Sequence, residues 1–554
     1  MDDVQATSVR RAASNLAELV ARQVEHRPDV IAVVQPGAQR RTLTWSELDS
    51  QVSAVASGLA AHGLVAGHRI ALLGPNGIEF VVAYFAALRC GFVVVPINPQ
   101  STPHEVRAML LDSGARVLLG TAEVELEGLH QVPLTPSGLG MLAGQATAEV
   151  SSPPDPEALA VLLYTAGTSG RPKAAMLSHR ALISHLEHVE PLGVVDSATI
   201  VLAILPMFHV YGLNAVLGSW AMGGARLVIM DGFGDDFFDV VRSEGVTNMP
   251  LSPALLTRIL DHDQVDAGLG AVTAVVSGAA PLPDEVRDAF TERTGLRVEQ
   301  GYGLTEAGPG ISATLAGSVL GHGHVGRALP GVEIRIGDGS EPAEPGEILV
   351  RGGNLFSGYW PDGHGGPDED GWFATGDIGY LLDDELFLVD RARELIIVNG
   401  FNVYPAEVEV AIRELPGVVS VAVVGQPSDR TGEEVVAFVT GAGLTWHPVA
   451  RANAQGGAAE IWTAWAAALL DHVTVTATRA TGAWHGQLTV AAVSGADPGR
   501  ATAPSRPPRS RRRCGPSWRT ARTASCTSCT TSTPAGSPRT ASSTTRTRSP
   551  RCGR

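Results

Sequence analysis

Stretches with the two-residue period of a strand alternate with stretches of helical period along most of this chain, and that alternation admits few architectures. Residues 46–62 read as an amphipathic helix, 69–73 and 93–97 as strands, 103–113 as a second helix and 115–119 as a further strand. Strand and helix in turn imply a layered α/β fold. With 554 residues, 44% of them hydrophobic, the chain has enough apolar surface for a large core and for two or more domains. The longest apolar stretch, residues 80–96, contains Arg89 and Cys90 and breaks at Gly91. It reads as a buried helix followed by a strand, not as a membrane span. Pro-rich residues 151–156 read as a surface connection, and 332–336 and 347–351 as short strands of a small β-rich subdomain.

Lys173 is the only lysine in the chain. It closes the run Tyr164-Thr-Ala-Gly-Thr-Ser-Gly-Arg-Pro-Lys173, and residues 158–164 before it read as a buried strand. Gly167 and Gly170 let successive N–H groups turn inward as an anion nest. Thr165, Thr168 and Ser169 add hydroxyls, and Lys173 adds a mobile charge with three donors. The composition suits a triphosphate. The run is not a Walker loop, because Pro172 precedes the lysine where that pattern has glycine.

Five further strings follow. Leu205-Pro-Met-Phe-His-Val-Tyr-Gly212 places His209 among apolar and aromatic residues. Ser277-Gly-Ala-Ala-Pro281 follows the apolar run 271–276, and its small side chains permit close approach of a flat base. Gln300-Gly-Tyr-Gly-Leu-Thr-Glu306 supplies one carboxylate, the hard oxygen ligand magnesium prefers. Gly371-Trp-Phe-Ala-Thr-Gly-Asp377 ends on a carboxylate able to accept both hydrogen bonds of a vicinal diol. The last is Asp390-Arg-Ala-Arg-Glu-Leu-Ile-Ile-Val-Asn-Gly-Phe-Asn-Val-Tyr-Pro405.

Taken in this order, the six strings resemble the motifs of the adenylate-forming (AMP-binding) superfamily, most of all its acyl-CoA synthetases. The likeness covers about residues 15–440, with departures from the loop pattern at Ala166, Ser169 and Ala174. It implies a large N-terminal domain of two α/β subdomains plus a small β-rich one, followed by a small α+β C-terminal domain. It also implies ATP, Mg²⁺ and CoA as reactants. Thr165, Gly167, Thr168, Ser169, Gly170 and Lys173 would hold the phosphates. Ser277, Gly278, Ala279, Ala280 and Pro281 would lie along the adenine, with Gly301, Tyr302 and Gly303 beside it and Tyr302 stacked on it. Thr305 would bond the α-phosphate and Glu306 would hold Mg²⁺. Asp377 and Arg391 would reach the ribose. Arg393 would be the hinge, and Gly400, Phe401 and Asn402 would border the CoA tunnel. Phe208, His209, Tyr211 and Gly212 would line the acyl pocket, with Lys173, His209, Thr305 and Glu306 as the catalytic set.

The formal net charge of −16 argues against general nucleic-acid binding. The acidic start Met-Asp-Asp-Val is unlike a signal peptide, and only Cys90 lies in the well-patterned body, which suits a cytoplasmic location without disulfides. The domain boundaries expected are 1–389 for the AMP-binding part and 390–441 for the start of the mobile C-terminal domain. Within the latter, 406–415 reads as a helix and 418–424 and 434–439 as strands. Past Gly441 the likeness ends. The family places a Gly-Lys near its C-terminus, and no lysine follows Lys173 here. Residues 442–500 are weakly patterned. Residues 501–554 hold twelve arginines, no acidic residue and four of the five cysteines. That stretch reads as a disordered product of a shifted reading frame; a basic arm, or a metal or redox pair at Cys526 and Cys529, is the rival reading.

The implied reaction joins a carboxylic acid to ATP as an acyl-adenylate and then transfers the acyl group to CoA. The surroundings of Phe208–Asn214 point to a fatty acid, with aryl and dicarboxylic acids open. Adenylation is expected to be impaired by the missing lysine. A non-catalytic nucleotide-binding relative and an enzyme that loads a carrier protein are the alternatives.

Overall fold

The computed structural model describes residues 13–145, 149–166, 172–314, 323–337 and 346–391, then 396–398, 401–403, 408, 412, 418–428, 431–441 and short strands between 447 and 544. Gly167, Thr168, Ser169, Gly170, Arg393 and Gly400 lie outside the described residues, as do the side chains of Arg391, Phe401 and Asn402 and most of the helix expected at 406–415. The chain divides into two units. The first takes in residues 1–415, 421–438 and 450–461, and the second 416–420, 439–449 and 462–554.

In the first unit the helices begin where the sequence caps them. Thr44 and Glu47 form a reciprocal capping box before Trp45–Ala60, and Thr102 and Glu105 form another before Pro103–Ser113. The second helix has proline in its first turn and stops at Gly114 in the left-handed region. Ile78–Arg89 is buried on all sides, so its single cation needs partners. The Arg89 guanidinium donates to Asp49 Oδ1 at 2.5 Å and to Ser53 Oγ at 2.6 Å. Next to it, burial pushes the Cys90 thiol up to about 12, which leaves it unreactive.

Two sheets organise the unit. One has the order 130–133, 117–120, 69–73, 93–97, 159–166, 172–178; it is parallel except for the last, antiparallel pair. The other joins thirteen described strands. Its middle, Val298–Gly303, Ala274–Ser277, Asn248–Leu251, Ile200–Ala203 and Arg226–Ile229, is parallel. Beyond Val298–Gly303 it turns antiparallel through Gly310–Ala313, His324–Ala328, Glu385–Arg391, Phe373–Leu382, Gly346–Gly352 and Val332–Gly337. These last strands are the small β-rich part expected from the sequence. Ile396–Val398 and Phe401–Val403 pair as an antiparallel hairpin.

The second unit contains two-stranded ribbons that pair Thr474–Ala477 with Ala541–Thr544 and Thr489–Ala492 with Arg522–Ser525. The sequence predicts disorder over 501–554. The two strands there fall on threonine- and serine-bearing segments without proline, which can pair, although an isolated ribbon is marginally stable.

Candidate functional site

Three of the motifs sit just past the carboxyl ends of parallel strands. Leu205–Tyr211 follows Ile200–Ala203, Gly278–Pro281 follows Ala274–Ser277, and Leu304–Glu306 follows Val298–Gly303. Open α/β sheets bind ligands in the crevice outside these ends. Asn76 anchors the first loop: its Nδ2 donates to the Leu205 carbonyl at 2.9 Å, and its Oδ1 accepts from the Met207 N–H at 2.9 Å.

The lysine strand and the glutamate turn meet through a tyrosine. Thr165 and Lys173 are cross-strand partners on the two strands that flank the phosphate-loop run, and Thr165 Oγ1 donates to the Lys173 carbonyl at 3.4 Å. Lys173 Nζ lies 5.1 Å from the centre of the Tyr359 ring, in cation–π range. The Tyr359 hydroxyl donates to Glu306 Oε1 at 2.5 Å. Glu306 is 3% exposed and Tyr359 8%.

The turn that bears Thr305 and Glu306 is held from below by two buried amides. Asn354 Nδ2 donates to the carbonyls of Ala307 and Gly310 at 2.7 and 2.9 Å. Asn214 Nδ2 donates to the Gly308 carbonyl at 2.7 Å. Gly303 enters this turn where a Cβ would stand 2.1 Å from the Pro309 carbonyl oxygen, so no side chain fits there.

Tyr302 Oη donates to Asp377 Oδ2 at 2.8 Å, and both groups are buried. The Asp377 N–H in turn donates to Thr375 Oγ1 at 3.1 Å. Asp377 and Arg391 face each other as cross-strand partners. The two residues that the motif likeness puts on one ribose are therefore adjacent in backbone.

The motif that the likeness assigns to the acyl pocket forms a second group beside this one. The segment Tyr211–Val216 is a π-helical turn, a form common at functional sites. Tyr211 N–H donates to His209 Nδ1 at 3.2 Å and its hydroxyl to the Val276 carbonyl at 2.9 Å. A Cβ on Gly278 would stand 2.9 Å from the Tyr211 ring and 3.5 Å from the Gly301 carbonyl oxygen, so glycine lets the ring and the Gly301–Tyr302 strand close on one spot. Ala279 takes a left-handed φ of 68°, a strain typical of such sites. Burial lowers the His209 pKa to about 4 and keeps the ring neutral at pH 7. Phe208 is half-buried and Gly212 packs on the Pro206 carbonyl. Ser277 is buried and its Oγ has no hydrogen-bond partner. It alternates with Val276 and so shares its face with the buried Val275.

These residues fit a magnesium nucleotide. Two buried carboxylates, Glu306 and Asp377, and the Lys173 ammonium stand on connected elements. Among the described residues no group of three or more His, Cys, Asp or Glu side chains could hold a metal ion. Among them, too, no helix is long and apolar enough to cross a membrane. The sequence reading missed Tyr359 and Asn354, and quoted Asn214 without a role. The Gly358-Tyr-Trp-Pro361 run was a visible signal, yet nothing in it names Glu306 as a partner.

The model of the AMP-binding enzyme family matches residues 20–360, and that of the AMP-binding enzyme C-terminal domain matches 407–494. The second match runs past Gly441 and brings no lysine, since Lys173 is the only one. A 4-coumarate–CoA ligase 5 of Oryza sativa subsp. japonica is 36% identical over 445 residues, 74% of this chain and 82% of the relative. A long-chain-fatty-acid–CoA ligase of Bacillus subtilis is 30% identical over 466 residues, 74% of this chain and 83% of the relative. Among solved structures, ATP-bound MatB of Rhodopseudomonas palustris superposes with a TM-score of 0.64 at 30% identity, covering 77% of this chain and 88% of its own. The fold, the ordered motifs and these matches agree, and the chain belongs to the family of AMP-binding enzymes.

Proposed function

We propose that this protein is an ATP-dependent acyl-CoA ligase that activates a fatty acid through an acyl-adenylate. The observation that carries the reading is the linked set Lys173–Tyr359–Glu306, with Tyr302, on the strand that leads into the Glu306 turn, bonded to Asp377. In this reading the substrate carboxylate attacks the α-phosphorus of ATP and pyrophosphate leaves. Lys173 and the loop before it hold the β- and γ-phosphates, and Thr305 bonds the α-phosphate. Asp377 and Arg391 hold the ribose. Mg²⁺, when bound through Glu306, offsets charge on the phosphate oxygens. The CoA thiol then attacks the acyl carbonyl and AMP leaves. Catalysis of this kind rests on positioning and charge neutralisation.

The likeness to the long-chain-fatty-acid–CoA ligase supports an aliphatic acyl tail. A hydroxycinnamate is the second reading, favoured by the 4-coumarate–CoA ligase likeness. The missing C-terminal lysine bears on adenylation, so a test should bypass that step. Presented with preformed acyl-adenylates and CoA, the protein should release AMP and form palmitoyl-CoA faster than coumaroyl-CoA. Faster coumaroyl transfer selects the second reading, and thioester from neither overturns both.

A further inference from the structure

We infer that Tyr359 is a positioning residue that sets the metal-binding carboxylate and the phosphate-binding ammonium in place before nucleotide arrives. The inference rests on the reading of Glu306 and Lys173 given above. Three observations carry it. The hydroxyl of Tyr359 donates to Glu306 Oε1 at 2.5 Å, which orients the carboxylate. The ring of the same residue lies 5.1 Å from Lys173 Nζ, so one side chain touches both charged groups. The backbone around Tyr359 is fixed to both elements it serves. Met176 N–H donates to the Gly358 carbonyl at 3.0 Å, Trp360 N–H to the Ala174 carbonyl at 2.8 Å, and Phe356 N–H to the Glu306 carbonyl at 2.9 Å. The segment is thus strapped to the strand that carries Lys173 and to the turn that carries Glu306.

A hydroxyl that donates to a ligating carboxylate fixes its rotamer and tunes its affinity for the ion. A ring beneath an ammonium holds it without neutralising it. The two contacts act on different species and can be separated. Removing the hydroxyl alone should weaken the metal and spare the nucleotide. Removing the ring as well should weaken metal-free nucleotide binding too.

The test is ATP binding by the full-length protein, titrated over a range of Mg²⁺ concentrations, for the wild type, Tyr359→Phe, Tyr359→Leu and Glu306→Gln. Tyr359→Phe keeps the ring and its packing. It should raise the Mg²⁺ concentration of half-effect about tenfold. Its ATP affinity without metal should stay within about twofold, whereas Tyr359→Leu should lose several-fold there. If Glu306→Gln shifts the Mg²⁺ dependence and Tyr359→Phe does not, the positioning role is overturned and the metal assignment stands. A Tyr359→Phe variant that loses ATP affinity equally with and without Mg²⁺ also overturns it, since that is the mark of a structural role. If Glu306→Gln leaves the Mg²⁺ dependence unchanged, the metal assignment itself falls and the inference falls with it.

Discussion

Tyr302 and Asp377, seventy-five positions apart, share a 2.8 Å hydrogen bond inside the protein, the phenol donating and the carboxylate accepting. One comes from a parallel strand at the sheet's centre and the other from the antiparallel β-rich part, so the bond ties the two parts together. Tyr302→Phe removes a donor from a buried carboxylate and should cost about 1–3 kcal/mol of stability. Under the nucleotide reading, Asp377→Asn should weaken ATP about tenfold while changing the affinity of 2′,3′-dideoxy-ATP little, because the lost acceptor serves the diol. Equal losses for both nucleotides in calorimetric titration would remove Asp377 from the ribose.

The glutamate turn depends on Asn354. Its amide satisfies two carbonyls of that turn, and alanine would leave both without their donor. Asn354→Ala should lower the unfolding free energy by about 2–5 kcal/mol, from two lost hydrogen bonds and the cavity. Denaturant melts measure this; a loss below about 1 kcal/mol would mean that the turn finds other donors.

Two buried histidines make stability depend on pH. Burial first, and the charge of His188 second, lower the His185 pKa to about 3. Burial lowers that of His179 to about 4, against a smaller opposing pull from Asp155. Both rings accept hydrogen bonds in the neutral form, His179 Nδ1 from the Leu16 N–H and His185 Nδ1 from Asn214 Nδ2. With folded pKa values below the unfolded 6.5, the unfolded chain binds more protons between the two. Their contribution is therefore fully present above 6.5 and lost as pH falls toward 3–4. His185 alone should account for about 2 kcal/mol by about pH 5. Thermal midpoints that stay flat from neutral to about pH 5 would contradict this.

Lys173 should distinguish nucleotides by their phosphates. If it meets only the β- and γ-phosphates, Lys173→Gln should weaken ATP by about ten- to a hundredfold and leave AMP within about twofold. A parallel loss of AMP would place the ammonium elsewhere.

The legible part of this molecule was local. The bounds read for Pro103–Ser113, 69–73 and 93–97 match the structure, because caps, proline and β-branched runs mark ends chemically. The longer apolar run resolved into Ile78–Arg89 and Val93–Ile97, broken at Gly91 in the left-handed region. The motif order led to the family. Contacts that span the chain were not legible. Tyr359 reaches Glu306 from fifty-three positions away and Asn354 reaches the same turn from forty-seven, and neither pairing has a sequence period. Asn214 lay in a quoted motif, yet its role needs the Gly308 carbonyl, which only the fold brings near.

Under the proposed function the chain should bind ATP through Lys173, Glu306 and Asp377, and Lys173 is the only lysine in its sequence. The direct measurement is ATP–pyrophosphate exchange with a panel of fatty acids, run beside ATP binding and beside the Bacillus subtilis ligase. Firm Mg²⁺-dependent ATP binding is expected, with exchange about 10²–10³ below the reference. Exchange at the reference rate would contradict this expectation, as would failure to bind ATP at all.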